Sequence, residues 1–246
     1  MIVYGHRGAR GEAPENTIAG CQHALSRGVN HLEIDLRLAA DGKLVVAHDA
    51  TVNRTTDERG KVGSFSAAEL SRMDARADGT PWPNKRRTGI PTLDALVKAL
   101  PQINHWQLEL KSGSERYNAA LADAVAAWLD RAEQTVKVDQ RFTVTSLEPT
   151  LLTEVKRQRP QQSIGFVSTI VEPEMILAAC GCDTLVAHWS TLRERQLNTL
   201  KRRGIQVSCW TVNDASVIKQ LYEMGVDSVI TDYPSMAVPL VAALER

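Results

Sequence analysis

Glu33 and Asp35 stand two residues apart in the run His31-Leu32-Glu33-Ile34-Asp35-Leu36, and Glu109 and Lys111 repeat that spacing in Trp106-Gln107-Leu108-Glu109-Leu110-Lys111. In a β-strand successive side chains point to opposite faces. Leu32, Ile34 and Leu36 therefore share one face and Glu33 and Asp35 the other, and the same parity separates Trp106, Leu108 and Leu110 from Glu109 and Lys111. If the apolar faces meet helices, three carboxylates and one ammonium converge on a common interior. Unpaired carboxylates in an interior are costly and tend to stay protonated, so the cluster asks for a compensating cation. An all-oxygen shell suits a hard divalent ion, Mg²⁺ or Ca²⁺. A plainer arrangement uses the same residues: Glu109 paired with Lys111, and Glu33 with Asp35 at a solvated mouth. That serves for any one of them; taken together, the four favour the ion.

Nine β-rich runs must position these groups: 2–5, 31–36, 44–49, 106–111, 142–146, 163–168, 184–189, 206–211 and 228–231. Helical patterns lie between most of them. In 115–129 the apolar stripe is Tyr117, Leu121, Val125 and Trp128, with Ser112 and Glu115 at capping-box spacing before it. Thr191 with Glu194 repeats that start signal, and Gly204 and Gly225 sit where left-handed helix stops belong. Strand–helix alternation over 246 residues predicts a closed (β/α)8 barrel of the TIM type, α/β in class, rather than an open doubly wound sheet. Nine strands are one too many for it. The linker 37–43 is too short for a crossover helix and contains the turn signal Asp41-Gly42, so 44–49 is expected to fold back as a hairpin on 31–36. A parallel strand lacking its helix is the other possibility. The stretch 50–91 breaks the rhythm: rich in Gly, Pro, Thr and Arg, with Pro81-Trp82-Pro83 and one short helical signal from Ser66 and Glu69, it reads as a lid or binding insertion. No repeat or linker divides the chain, and one domain over 1–246 is expected.

Composition excludes several classes. Lys plus Arg and Asp plus Glu are 29 each, so no bulk charge draws the chain to nucleic acid or an anionic membrane. No uncharged apolar run is long enough to cross a bilayer, and MIVYGHRG lacks the pattern of a signal peptide, which makes the cytoplasm the expected location. Cys21, Cys180, Cys182 and Cys209 form no C-x-x-C pair and suggest neither a zinc site nor a disulfide framework.

Two histidines stand at strand ends, where β/α barrels carry their chemistry: His6 in Gly5-His6-Arg7-Gly8, and His48 before Asp49. Alone, each reads as an ordinary surface or capping residue. Their setting is more specific. The ordered motifs H-R-G (6–8), P-E-N-T (14–17), E-I-D (33–35), D-G followed by V-V-A-H-D (41–49), R-T-T (54–56), P-T-L (91–93), E-L-K (109–111), W-T-V-N (210–213) and I-T-D (230–232) resemble the glycerophosphodiester phosphodiesterase family over nearly the whole chain. That resemblance implies a β/α barrel with a small insertion after the H-D motif. It also implies Glu33, Asp35 and Glu109 as ligands of one divalent cation, His6 and His48 as the acid/base pair, and Arg7 and Lys111 as phosphate contacts. Two places depart from the family's usual pattern: Gly28-Val29-Asn30-His31 replaces Gly-Ala-Asp, and Ser146-Leu147 replaces Ser-Phe. Neither touches an implied ligand, but both bear on substrate preference.

The implied chemistry is physically coherent. Attack on a phosphodiester anion is opposed by charge repulsion, which a dication, the Arg7 fork and the compact Lys111 charge would offset. Two imidazoles titrating near neutrality can take a proton from the attacking hydroxyl and give one to the leaving alcohol. Which histidine does which is not readable. Trp210 could wall the pocket or simply fill the core, Asn16 could meet substrate or cap a helix at 17–27, and His188 beside Trp189 is a rim candidate. His23, His31 and His105 are expected to be structural.

The expected activity is metal-dependent hydrolysis of glycerophosphodiesters such as glycerophosphocholine or glycerophosphoethanolamine to glycerol 3-phosphate and an alcohol, and the family resemblance implies a route through a cyclic phosphate formed by a glycerol hydroxyl. The substrate is a small molecule, and neither nucleic acid nor membrane insertion is expected; the oligomeric state is open. One rival is a lysophospholipase D-type lipid phosphodiesterase, which needs an apolar landing surface near 50–91, where only Phe65, Met73 and Trp82 offer one. The other is a non-catalytic barrel that binds a phosphorylated ligand.

Overall fold

The strand parity read from the sequence is realised in a closed barrel. The computed structural model describes all residues except 78–79, 81, 84–85 and 136–139, so Pro81 lies outside the described residues. In chain order the elements begin with β1 (Ile2–His6), α1 (Ile18–Ser26), β2 (His31–Leu38) and β3 (Leu44–Val46). Next come α2 (Ala67–Leu70), α3 (Leu93–Ala99), β4 (His105–Leu110), α4 (Glu115–Thr135), β5 (Arg141–Ser146) and α5 (Pro149–Gln158). The chain continues through β6 (Ile164–Ser168), α6 (Glu174–Cys180), β7 (Thr184–His188), α7 (Glu194–Arg202), β8 (Gln206–Trp210), α8 (Ala215–Met224), β9 (Ser228–Thr231) and α9 (Pro234–Leu244).

Eight strands pair in parallel in the cyclic order β1-β2-β4-β5-β6-β7-β8-β9, with β9 returning to β1. The ninth strand, β3, runs antiparallel to the end of β2, with Leu36 opposite Val46 and Leu38 opposite Leu44. The hairpin reading of 44–49 therefore holds, over a shorter strand. Register explains why the carboxylates meet: Asp35 is the cross-strand neighbour of Glu109, and Glu33 that of His6.

The outward faces of β2 and β4 are fully buried at Leu32, Ile34, Leu36, Trp106 and Leu108. Each such side chain contributes about 1.5–3 kcal/mol on burial, which holds the strands in the register that sets the site. On α4 the expected stripe packs inward through Leu121, Val125 and Trp128, and Trp128 Nε1 donates to Asp94 Oδ1 on α3 at 2.9 Å. The barrel floor is filled by Tyr4, whose hydroxyl lies 2.8 Å from His105 Nδ1, and by Thr143, 3.0 Å from His105 Nε2. His31 packs edge-on to Tyr4 at the same end, away from the carboxylates.

Two helix starts differ from expectation, and at a third an open alternative is resolved. Thr17, not Asn16, caps α1 by accepting from Gly20 N, because Asn16 turns its amide toward Asp35. Ser114 rather than Ser112 accepts from Tyr117 N at the head of α4, since a cap must immediately precede the first helical residue. Thr191 donates to His188 O and leaves α7 without a side-chain cap. By contrast, Ser66 and Glu69 form the expected capping box, and Gly204 and Gly225 take φ of +73° and +82°. In 50–91, Val52, Val62, Leu70, Met73 and Ile90 pack with Val45 into a satellite core beside the mouth.

Candidate active site

The site is built at the C-terminal ends of β1, β2, β4 and β9. Gly5 and Gly8 let the loop after β1 turn tightly: a Cβ on Gly5 would lie 2.1 Å from Gly8 O, and Gly8 has φ of +88°. Between them Arg7 adopts φ of +50°, and Asn16 adopts +55°; these are the two non-glycine residues with positive φ among those described. Such backbone is held only where its surroundings over-determine it. Arg7 N donates to Glu33 Oε2 at 3.2 Å, its Nη1 donates to Glu15 Oε1 at 3.0 Å, and its Nε lies 3.0 Å from Asp35 Oδ2.

Glu33, Asp35 and Glu109 each place one carboxylate oxygen so that all three lie within 4.8 Å of one another. Glu33 Oε1 is buried with no hydrogen-bond partner. Burial, together with the charges of Asp35 and Glu109, raises the Glu33 carboxyl well above the usual range, and burial also raises Glu109. Burial opposes ionisation of Asp35 too, but Lys111 and Arg7 outweigh it and hold that carboxyl low. Lys111 Nζ lies 2.8 Å from Asp35 Oδ1 and donates to Glu109 Oε1. This donor set fits a hard cation: three carboxylates that converge, a buried oxygen of Glu33 left without a hydrogen-bond partner, and more carboxylates than Lys111 and Arg7 can neutralise. The salt link between Lys111 and Glu109 that the plainer arrangement expected is present as well, beside the cluster rather than in place of it.

His6 is buried, with Nδ1 2.5 Å from Asp232 Oδ1 and Nε2 3.8 Å from Glu33 Oε2. Asn213 Nδ2 donates to the other Asp232 oxygen at 2.7 Å. His48 is half-exposed, with Nδ1 2.7 Å from Asp49 Oδ1; burial lowers its pKa below the ordinary imidazole value. Asn16 donates to Asp35 Oδ2 at 2.8 Å and so stands behind the cluster. Trp210 lines the same cavity as His6, Glu33 and Glu109, its Nε1 donating to Val186 O at 3.0 Å. His188 meets Trp210 edge-on, with ring centroids 5.5 Å apart, and stacks on Trp189.

Three groups here stand in the sequence motifs without a role that the sequence itself assigns. Asp232 orients His6. Glu15 is buried among Arg7, Arg10 and Arg54, with Arg54 donating to both its oxygens at 2.7 and 2.8 Å. Arg54, from the stretch after His48, also donates to Asp49 at 2.8 Å and so ties that stretch to both histidine-bearing loops. Asp232 directly follows β9, a strand-end position that flags it in a barrel; Glu15 carries no such signal.

A barrel whose C-terminal mouth carries a carboxylate triad beside two carboxylate-backed histidines offers the groups that metal-assisted, acid–base phosphoryl transfer would use. Residues 6–236 match the model of the Glycerophosphoryl diester phosphodiesterase family, and the chain belongs to that family. It is 30% identical over 244 residues to a glycerophosphodiester phosphodiesterase of Caldanaerobacter subterraneus, covering 98% of this chain and 97% of that one. It is 27% identical to the mouse lysophospholipase D GDPD1, over 94% of this chain and 82% of that one. Among solved structures, an Oleispira antarctica phosphodiesterase in complex with the product sn-glycerol-3-phosphate superposes with a TM-score of 0.87 at 29% identity, over 98% of this chain and 97% of that one.

Proposed function

We propose that this protein is a divalent-cation-dependent phosphodiesterase that cleaves glycerophosphodiesters, such as glycerophosphocholine or glycerophosphoethanolamine, into glycerol 3-phosphate and an alcohol. The observation that carries the proposal is the triad Glu33, Asp35 and Glu109, closed to within 4.8 Å beside His6 Nε2. Family membership and the product-bound Oleispira antarctica neighbour support the substrate class.

In this reading Glu33, Asp35 and Glu109 hold one Mg²⁺ or Ca²⁺, which when bound supplies positive charge against the phosphodiester. Arg7 and Lys111, already placed beside Asp35, bind the non-bridging phosphate oxygens once substrate competes for them. A glycerol hydroxyl attacks phosphorus as one imidazole of the His6–His48 pair removes its proton; the bond from phosphorus to the leaving oxygen breaks as the other imidazole protonates the alcohol. Water then opens the cyclic phosphate with the two roles exchanged. Asp232 keeps a proton on His6 Nδ1 so that Nε2 faces the reaction, and Asp49 does the same for His48. Trp210 walls the pocket, Asn16 fixes Asp35 from behind, and His188 stands at the rim.

The proposal takes the chain as one barrel domain with 50–91 as an insertion, and places it in the cytoplasm, which the four free, buried cysteines support. Among the described residues no helix is long and apolar enough to cross a membrane. A coupled assay of glycerol 3-phosphate release from glycerophosphocholine, run with chelator and then with each ion restored, tests the function. Activity lost on chelation and regained with one cation supports it; no release with any cation and any glycerophosphodiester favours the ligand-binding barrel.

A further inference from the structure

At the end away from the mouth the barrel is hollow beyond Tyr4 and Thr143. A cavity of about 950 Å³ opens there among the first residues of the strands, within the size range of small-molecule sites. Tyr4 packs with Val167, Val186 and Ile230 between it and the catalytic cavity, and Gln107 lines both. Two side chains in the floor cavity's wall are buried and leave a polar atom without a hydrogen-bond partner among the described residues. They are Gln107 Oε1 on β4 and Ser208 Oγ on β8, the residues being 3% and 1% exposed. Their strands stand four places apart in the ring of eight, so the two side chains approach the barrel axis from opposite sides. A buried polar group left unpaired costs the fold more than a hydrogen bond returns, and two in one cavity point to a polar occupant.

The rest of the wall is held in place by a belt of hydrogen bonds. It starts with the contacts of His105 to the Tyr4 hydroxyl and to Thr143 Oγ1. Thr143 Oγ1 lies 3.0 Å from Ser163 Oγ, which donates to Asp183 Oδ1 at 2.8 Å, and Thr184 Oγ1 donates to that same oxygen at 3.0 Å. Every member of this belt lines the cavity. Hydroxyls both donate and accept, so a wall of hydroxyls and an amide suits a ligand whose own groups do the same. Charge selects nothing else. Burial lowers His31 below its ordinary value and His105 to about 4, so both are neutral at pH 7, and the remaining charges on the wall, Arg141 and Asp183, are one of each sign. Tyr4 meets His31 and His105 edge-on, with ring centroids 5.2 and 5.7 Å apart, and these rings add apolar surface beside the hydroxyls, suited to C–H groups. We propose that the floor of the barrel is a second binding site, for a neutral polyhydroxylated molecule of sugar size held between Gln107 and Ser208. It is independent of the reaction at the mouth.

The probe is D-glucose, followed by titration calorimetry. Sugars also stabilise folded chains by exclusion from their surface, without binding, so the readout is saturable heat rather than Tm. The wild-type chain is expected to bind one glucose. Ser208→Ala removes the unpaired hydroxyl and no contact within the protein, and should weaken that binding about five-fold, the worth of one hydrogen bond. An unchanged Tm without sugar shows that the variant folds. Glu33→Gln, in the other cavity, should bind glucose as the wild type does. Crystals soaked in glucose then locate the sugar, with its hydroxyls within hydrogen-bond distance of Ser208 Oγ and Gln107 Oε1. Binding that is lost in Glu33→Gln and kept in Ser208→Ala puts the probe at the mouth and overturns the proposal. A wild type without saturable heat overturns it too, whether the soaked crystals hold water alone on the two atoms or show binding at crystal concentration only.

Discussion

His6 Nδ1 lies 2.5 Å from Asp232 Oδ1, although the two residues stand 226 positions apart at opposite ends of the chain. The contact is possible because β9 closes the barrel against β1. It keeps Asp232 ionised, burial being outweighed by the hydrogen bond and charge of His6. Asp232→Asn preserves shape but no longer stabilises the tautomer with a free Nε2. It is expected to lower kcat by about 10²–10⁴, the usual worth of positioned acid–base catalysis, with little change in Tm. Steady-state kinetics beside thermal unfolding checks this; a variant with near wild-type kcat would remove Asp232 from the mechanism.

Glu15 is held by three arginines, and its carboxyl stays below the ordinary range despite burial because Arg54 and Arg7 donate to it. Glu15→Gln leaves the buried Arg7 short of a counter-charge and is expected to destabilise the fold by about 3 kcal/mol. The Arg54 side chain is 39% exposed, so Arg54→Ala should cost only about 1 kcal/mol. Urea unfolding of both variants orders the two effects, and equal costs would contradict the hub reading of Glu15.

The raised Glu33 and Glu109 carboxyls link the cation to pH. Without an ion, the folded state binds more protons than the unfolded one between the ordinary carboxylate value and the raised one, so its stability falls as pH rises through that window. A cation must displace those protons, so Ca²⁺ affinity should increase with pH across the same window and its binding should release protons. Calorimetry in buffers of different ionisation enthalpy measures the release. Glu33→Gln should weaken binding and reduce the release; proton-neutral binding in the wild type would contradict the site.

At the barrel floor, burial lowers His105 to about 4 from an ordinary value near 6.5. Its contribution to stability is whole above the unfolded value and is lost as pH falls from there toward 4, amounting to about 3 kcal/mol. His105→Gln should therefore flatten the decline of Tm between those limits while leaving activity at neutral pH in place. A variant whose Tm declines with acid as steeply as the wild type would assign the loss to other groups.

The fold was legible because strand parity is a one-residue code. Leu32, Ile34 and Leu36 could not be buried against helices without turning Glu33 and Asp35 inward; the short linker 37–43 favours a hairpin but leaves a parallel strand open, and the antiparallel pairing of β3 with β2 decides between them. The carboxylate triad followed from the same parity. Tertiary relations were not legible: Asp232 reaches His6 only through barrel closure, and Glu15 becomes a hub only when Arg54 folds back onto it. At the start of α1 a local signal competes with the site: Asn16, which the sequence leaves open between cap and pocket, gives its amide to Asp35 while Thr17 takes the cap.

The most direct measurement is diffraction from crystals soaked in calcium salt, read by anomalous scattering. A single peak is expected about 2.3–2.6 Å from carboxylate oxygens of Glu33, Asp35 and Glu109 together, the range for calcium–oxygen bonds, and Glu33→Gln should abolish or weaken it. No peak at this position in the wild type, or calcium held elsewhere while hydrolysis proceeds, would contradict the assignment of these three side chains as the centre of the chemistry.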